Sequence, residues 1–346
     1  MTVSEMHIAF DLLLDKTNSL QYPSFLPEEK DFWLNMALRK FIKTRYSGLN
    51  VKQEGFEQSQ KRIDDLRTII RELTIPCTST GAIKPNAYVL TNGFSNASFY
   101  VTPYWLSLGE EALIYYVPTT SLPTTVLSGS LSVGEVYRVI GGSITHNALP
   151  ISTNSFFIAA AATYTGAGHC VATTSKRVGV VDITSDSYRS KVDDPIADFR
   201  LHYDEAKPLR LFYNNTIEFI TDSNYLVKSA YIRFIKQPAS INYTTTTGVA
   251  SGNIVPGKTY QVATAGTVTY PATVGASYAL GSTFIGLDDY TTYTPGGGAT
   301  VNLIQSNSDL AESTHEEIVS LAVQLALENI EQPRFQSNAQ LVNTME

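Results

Sequence analysis

The chain is poor in charge, in cysteine and in long apolar runs, and each shortage closes off a class of protein. Charged residues make up 16% of its 346 positions, against about a quarter in ordinary soluble domains. The balance is acidic, with a formal net charge of -7, so the sequence does not describe a surface made to neutralise phosphates. Only two cysteines occur, Cys77 and Cys170, far apart and outside any Cys-x-x-Cys or Cys/His cluster. That argues against a disulfide framework or a zinc site, and no cofactor is expected. The longest apolar run, residues 156–162, is far short of a membrane span. The first 14 residues carry Glu5 and Asp11 inside their apolar pattern and lack a basic leader, so they read as a helix and not as a signal peptide.

What is present is apolar content of 43%, enough for real cores, with 20 tyrosines and abundant threonine, serine and glycine. Such a composition suits β-rich, weakly charged surfaces that pack against neighbours, hence an assembly component. Residues 1–75 instead concentrate the charge, with 11 Lys/Arg and 11 Asp/Glu, and read as helical. A first helix starts near Ser4, with Ile8, Phe10, Leu12, Leu13 and Leu14 as a broad apolar stripe. A second opens at Pro27, suited to a first helical position, with Glu28, Glu29 and Asp31 complementing the dipole. It runs through Phe32, Trp33, Met36, Leu38, Phe41 and Ile42 to Gly48. A third is expected over residues 56–73, burying Ile63, Leu66, Ile69 and Ile70 and ending before Pro76.

Strand grammar follows in residues 76–126, with short aromatic or β-branched runs at 87–90, 98–104 and 112–117. Residues 176–238 read as an antiparallel core segment, a small meander of strands at 209–213, 216–221 and 225–234 with a tight turn at Asn214 and Asn215. Two stretches stand apart because they are almost uncharged: 127–175, with only Glu135 and Arg138, and 239–308, with only Lys258, Asp288 and Asp289. They resemble each other. Val133-Gly-Glu-Val-Tyr-Arg-Val139 lines up with Val255-Pro-Gly-Lys-Thr-Tyr-Gln-Val262, and Ile144-Thr-His146 with Val268-Thr-Tyr270. Ser155-Phe-Phe-Ile158 matches Thr283-Phe-Ile-Gly286, and Thr163-Tyr-Thr-Gly166 matches Thr292-Tyr-Thr-Pro295. The repeat predicts two small β-modules inserted into a scaffold. A last helix is expected within 309–331, opened by a capping box at Ser313-Thr-His-Glu316 and burying Ile318, Leu321, Ala322 and Leu325. Residues 332–346 are polar and aperiodic, an extended tail.

Chemistry-bearing constellations are few. None of His7, His146, His169, His202 and His315 lies at i,i+4 from another histidine, so no metal site is expected. His202-Tyr-Asp-Glu205 is the most site-like string, since a histidine near carboxylates can serve as a general base, but a solvated loop explains it as well. His169-Cys170 are sequence neighbours, which an extended chain points apart. Asp64-Asp65 and Asp193-Asp194 read as a helix surface and a turn. Gly296-Gly-Gly298 lacks the Lys-Ser/Thr of a phosphate loop and Gly141-Gly142 precedes no helix, so both read as hairpin turns. The sequence is therefore taken as non-enzymatic.

Several strings carry a resemblance. Phe10-Asp-Leu-Leu-Leu-Asp-Lys-Thr17, Pro27-Glu-Glu-Lys-Asp-Phe-Trp-Leu34, Lys40-Phe-Ile-Lys-Thr-Arg-Tyr46 and Gln60-Lys-Arg-Ile-Asp-Asp-Leu-Arg67 resemble the ring proteins of crAss-like podoviruses. Tyr231-Ile-Arg-Phe-Ile-Lys236, Thr314-His-Glu-Glu-Ile-Val319, Ala326-Leu-Glu328 and Gln332-Pro-Arg334 are similar in the same way. Together they cover about half the chain. The fold class expected is then α+β: a helical adaptor scaffold from the N-terminal helices and the C-terminal helix, an antiparallel β core and two inserted β-modules. The resemblance implies a virion structural protein at the portal vertex, a homo-oligomeric ring, dodecameric, joining portal to tail. Genomic DNA would pass through its lumen without sequence-specific binding, and no membrane is involved. By position it also implies that the tail docks into the portal through Arg334, Phe335, Gln336, Leu341 and Val342. The inserts would meet neighbouring ring, tail or fibre proteins. The alternative, motivated by the Thr/Tyr/Gly-rich modules, is a receptor- or glycan-binding fibre or decoration protein, which would be trimeric.

Overall fold

A computed structural model describes residues 1–14, 25–47, 59–96, 98–99, 102–119, 125–213, 215–272, 275–287 and 290–329. The fold is α+β, with a large, mostly antiparallel sheet and few helices. Contacts divide the chain into two compact units, one of residues 1–71, 97–106 and 235–346, the other of 72–96 and 107–234.

In the first unit, α1 (Val3–Leu14), α2 (Pro27–Tyr46) and α3 (Gln60–Leu66) come from one end of the sequence and α5 (His315–Asn329) from the other. α5 packs against both α1 and α2 and is buried nearly all round, from His315 and Ile318 through Leu327, which makes it the core of the bundle. α2 begins at Pro27 as its sequence predicts, and Glu29 reaches back to accept the Leu26 N–H at 2.8 Å. Three expectations are corrected. On α1 the buried residues are Val3, Met6, His7, Phe10 and Leu14, while Ile8 and Leu12 are 59% and 66% exposed. The third helix stops at Leu66, and β1 (Ile70–Thr78) takes over, since Ile69, Ile70, Thr74 and Ile75 favour an extended chain; Pro76 lies inside that strand. α5 starts at His315 after a 3-10 turn over Glu312–Thr314, and the Thr314 hydroxyl donates to the Ala311 carbonyl instead of capping the helix.

The second unit is built on an eight-stranded sheet of order β10-β3-β14-β1-β2-β13-β12-β11. Its strands are β2 (Ala87–Leu90), β3 (Tyr104–Tyr116), β10 (Thr174–Gly179), β11 (Val181–Asp182), β12 (Leu209–Tyr213), β13 (Thr216–Ile220) and β14 (Tyr225–Lys236), with β1. β12 and β13 form the expected hairpin, Tyr213 pairing with Thr216. β14 does not complete a meander: β1 and β2 stand between it and β13, because β2, pairing antiparallel with both β13 and β1, takes the edge a meander would need. A short helix, α4 (Tyr188–Asp193), carries Tyr188 and Val192 against the buried cluster of Ala87, Phe199, Leu209, Leu211 and Ile220.

The two uncharged stretches fold alike. One, joined by β4 (Thr125–Val126) just before it, contains β5 (Val136–Gly141), β6 (Ile144–His146), β7 (Leu149–Ile151), β8 (Phe156–Ile158) and β9 (His169–Ala172), with a sheet of order β4-β9-β5-β8 and a β6-β7 hairpin that Thr165 extends by bridging Thr145. The other contains β15 (Thr246–Val249), β16 (Thr259–Val262), β17 (Thr267–Tyr270), β18 (Ala276–Ala279), β19 (Thr283–Ile285), β20 (Thr294–Gly296) and β21 (Val301–Leu303), in sheets β15-β21-β16-β19 and β18-β17-β20. Strand for strand these are the same order. The buried tyrosines repeat too. The Tyr137 hydroxyl accepts from Ser132 N–H and that of Tyr260 from Val255 N–H; Tyr164 donates to Val126 O and Tyr293 to Val249 O. Tyr137 and His146 pack on Phe157 as Tyr260 and Tyr270 pack on Phe284. The equivalent of Phe284 is therefore Phe157 and not Phe156, a one-residue correction to the sequence alignment. Ser128-Gly129 and Ser251-Gly252 extend the repeat, both serines bonding the backbone of the second tyrosine.

Candidate docking surface on the helical unit

The surface most suited to a partner lies along α2, and it exists because one row of that helix holds a loop in place. Asn35 pairs with the backbone of Ile241 as a strand would, accepting from its N–H and donating to its carbonyl, both at 2.8 Å. One helical turn earlier, Asp31 accepts from Tyr243 N–H at 3.0 Å and pairs with His7 Nε2 of α1 at 2.9 Å, while His7 stacks on the Tyr243 ring. Glu28 accepts from the Thr244 hydroxyl. Residues 241–244 are thus tied to the helix, and Ser240 N–H donates to Gly257 O, which brings in the turn ahead of β16.

Between helix and loops runs a groove of about 740 Å³. Its floor includes Phe32 and Met36, 60% and 45% exposed, although their apolar character predicts a buried face. Arg39, Lys40, Lys43 and Lys258 line it as well, and none of these four side chains joins an ion pair among the described residues. Glu28 and Asp31 line the groove too, each engaged with the loop or with His7, so in a chain with a net charge of -7 the four cations leave this surface net positive beside an apolar floor, complementary to an acidic, apolar partner. No reacting group is needed for that role.

Beneath the groove the bundle is cross-linked by buried charge. Arg45 of α2 pairs through Nε with Asp65 of α3 at 3.0 Å and through its guanidinium terminus with Glu317 of α5 at 2.6 Å, and Lys61 reaches Glu317 at 2.8 Å. Burial pushes the Asp65 carboxyl above the usual carboxylate range, outweighing the pull of Arg45. Sequence reasoning assigned roles to none of Asn35, Arg45 and Glu317. A signal was there: Asp31 and Arg45 fall on the stripe of Leu34, Leu38, Phe41 and Ile42, where a polar residue is buried and must be partnered.

Of the other sites suggested by sequence, only His202 and Glu205 come together, lining a pocket of about 440 Å³ with Asp198 and Asp222. His202 and Glu205 exchange backbone hydrogen bonds around a two-residue turn at Tyr203 and Asp204, both with positive φ, and Glu205 bonds outward to Lys176. Cys170 is buried and bonded to Val126 O, whereas its neighbour His169 is exposed. Asp65 serves Arg45 while Asp64 is exposed, and Asp194 caps the turn at Ile196. Gly142 and Gly297 turn the chain with φ of +68° and +66°. Among the described residues, no three His, Cys, Asp or Glu side chains gather as a metal site requires. No helix among them is long and apolar enough to cross a membrane. Arg334, Phe335, Gln336, Leu341 and Val342 lie outside the described residues. Compared with known proteins, the chain matches no family model and no curated sequence.

Proposed function

We propose that the chain is a virion structural subunit of a tailed bacteriophage, one of many copies that close into a ring of the head-to-tail connector. The observation that carries this reading is the helical unit: buried charge pairs fix α2, α3 and α5 together, yet exposed apolar pairs remain on α1 and α2. A unit internally locked and externally uncovered suits a part that completes itself in an assembly. The strings that resemble ring proteins of crAss-like podoviruses belong largely to α1, α2, α3, α5 and the central strand β14.

In this reading the scaffold is a helical adaptor and the ring a dodecamer. Weak contacts repeated around a closed ring become collectively strong, and closure sets the copy number. DNA passes through the lumen, and an acidic protein lets the phosphate backbone slide without capture. The tail docks into the portal through Arg334, Phe335, Gln336, Leu341 and Val342, and the β-modules meet neighbouring ring, tail or fibre proteins. Catalysis is not required at any step. The test is native mass spectrometry of the chain mixed with the portal protein of its phage, full-length and truncated after Gln332. A ring-sized complex lost on truncation supports the reading; indifference of the full-length chain to the portal contradicts it.

A further inference from the structure

We infer that the α2 groove receives the outer face of α1 from a second copy of this chain, in a head-to-tail contact. The inference rests on the ring reading and names the surfaces that would make the ring.

The outer face of α1 carries Ile8 and Leu12, four residues apart, with Glu5 one turn before Ile8 and Asp11 alongside. Glu5 is exposed and, among the described residues, bonded at the helix start to Thr2, and Asp11 remains half exposed beside Lys30. The groove presents Phe32 and Met36, also four apart, followed by Arg39, Lys40 and Lys43. Residues at i and i+4 stand one above the other on a helix, so the two apolar pairs match in pitch. Laid antiparallel, Ile8 meets Met36 and Leu12 meets Phe32, and Glu5 falls one turn beyond Met36, among the unpaired cations. Nucleic acid fits less well, since its backbone offers nothing to cover Phe32 and Met36.

The two faces do not meet within one copy. Lys30, bonded to Asp11 of α1, sits on a different side of α2 from Phe32 and Met36, because each residue turns the helix by about 100°, while Asp31 stands at the edge of the groove. With α1 held by the Lys30–Asp11 salt bridge and the Asp31–His7 bond, Ile8, Leu12, Phe32 and Met36 all stay exposed, so the two faces do not cover each other within a copy. A donor face and an acceptor face that are both left uncovered on one unit make a heterologous contact, which propagates from copy to copy and closes into a ring when the rotation allows.

Paired cysteines test this on the full-length chain. Ile8→Cys with Met36→Cys, and Leu12→Cys with Phe32→Cys, are placed at exposed positions, so folding is checked by circular dichroism and retained. The native thiols, of which Cys77 is only half-buried, are first replaced by Cys77→Ala and Cys170→Ala so that the introduced pair alone can cross-link. Under mild oxidation each double variant should give a ladder of covalent oligomers beyond the dimer, while each single variant stays monomeric. Dimers from single variants would indicate a symmetric contact and overturn the proposal. Rings seen with the portal but no ladder also overturn it while leaving the ring reading intact. Absence of any assembly would overturn both.

Discussion

At the scale of single residues, Arg45 and His315 bear most on stability. Arg45 is 3% exposed and holds two carboxylates from different helices. Removing one partner of a buried pair leaves charge without compensation, typically at about 3–5 kcal/mol. Arg45→Ala should lower unfolding stability by that order in urea titration, whereas Lys61→Ala, at the half-exposed edge of the same network, should cost about 1 kcal/mol or less. Equal effects would contradict the assignment of Arg45 as the hub. His315 is held toward its neutral form: its Nε2 donates to Leu310 O, and burial lowers its pKa from 6.5, helped by the nearby amino terminus. The unfolded chain then binds the proton first, so stability is full above pH 6.5 and falls as pH drops below it. Melting temperature should decline from pH 7 to pH 5.5 in the native chain and decline less in His315→Phe; parallel declines would refute the role of His315.

Among the elements, the repeated modules are the most instructive. Their likeness was legible in the sequence because turns and tyrosines are the parts a small β-module cannot exchange: Gly134 and Gly257 both have positive φ, and the paired tyrosines satisfy backbone groups near the turns. One position where they differ has a physical reason. Gly286 stands where the other module has Ala159, and a Cβ there would come within 2.2 Å of Val255 O. Gly286→Ala should therefore destabilise the chain by about 1–3 kcal/mol, the usual range for overpacking, and Ala159→Gly by no more than about 1 kcal/mol. Thermal unfolding of the two variants checks the order, and the reverse order would contradict the equivalence. The helices were less legible. Periodicity located α1, α2 and α5, but an apolar stripe does not say which part of it is covered, and so Ile8, Leu12, Phe32 and Met36 read as core. The end of α3 was hidden because Ile69 and Ile70 suit a helix stripe and a strand equally.

For the whole molecule, the sequence displays the α+β class and the likeness of the two uncharged stretches, whose composition differs from their surroundings. It does not display the order of the eight-stranded sheet, in which β1 and β2 come between β13 and β14 through long-range pairing that no local pattern encodes. Nor does it display the groove, which depends on Asn35 and Asp31 fixing a loop more than 200 positions away. That surface and the outer face of α1 are the physical basis for reading the chain as a repeating part. The most direct measurement is electron microscopy of the full-length chain assembled with its portal. A closed ring with an open lumen and cyclic symmetry, holding many copies of the chain, is the expected result. A trimer, or a chain that stays monomeric beside the portal, would contradict it.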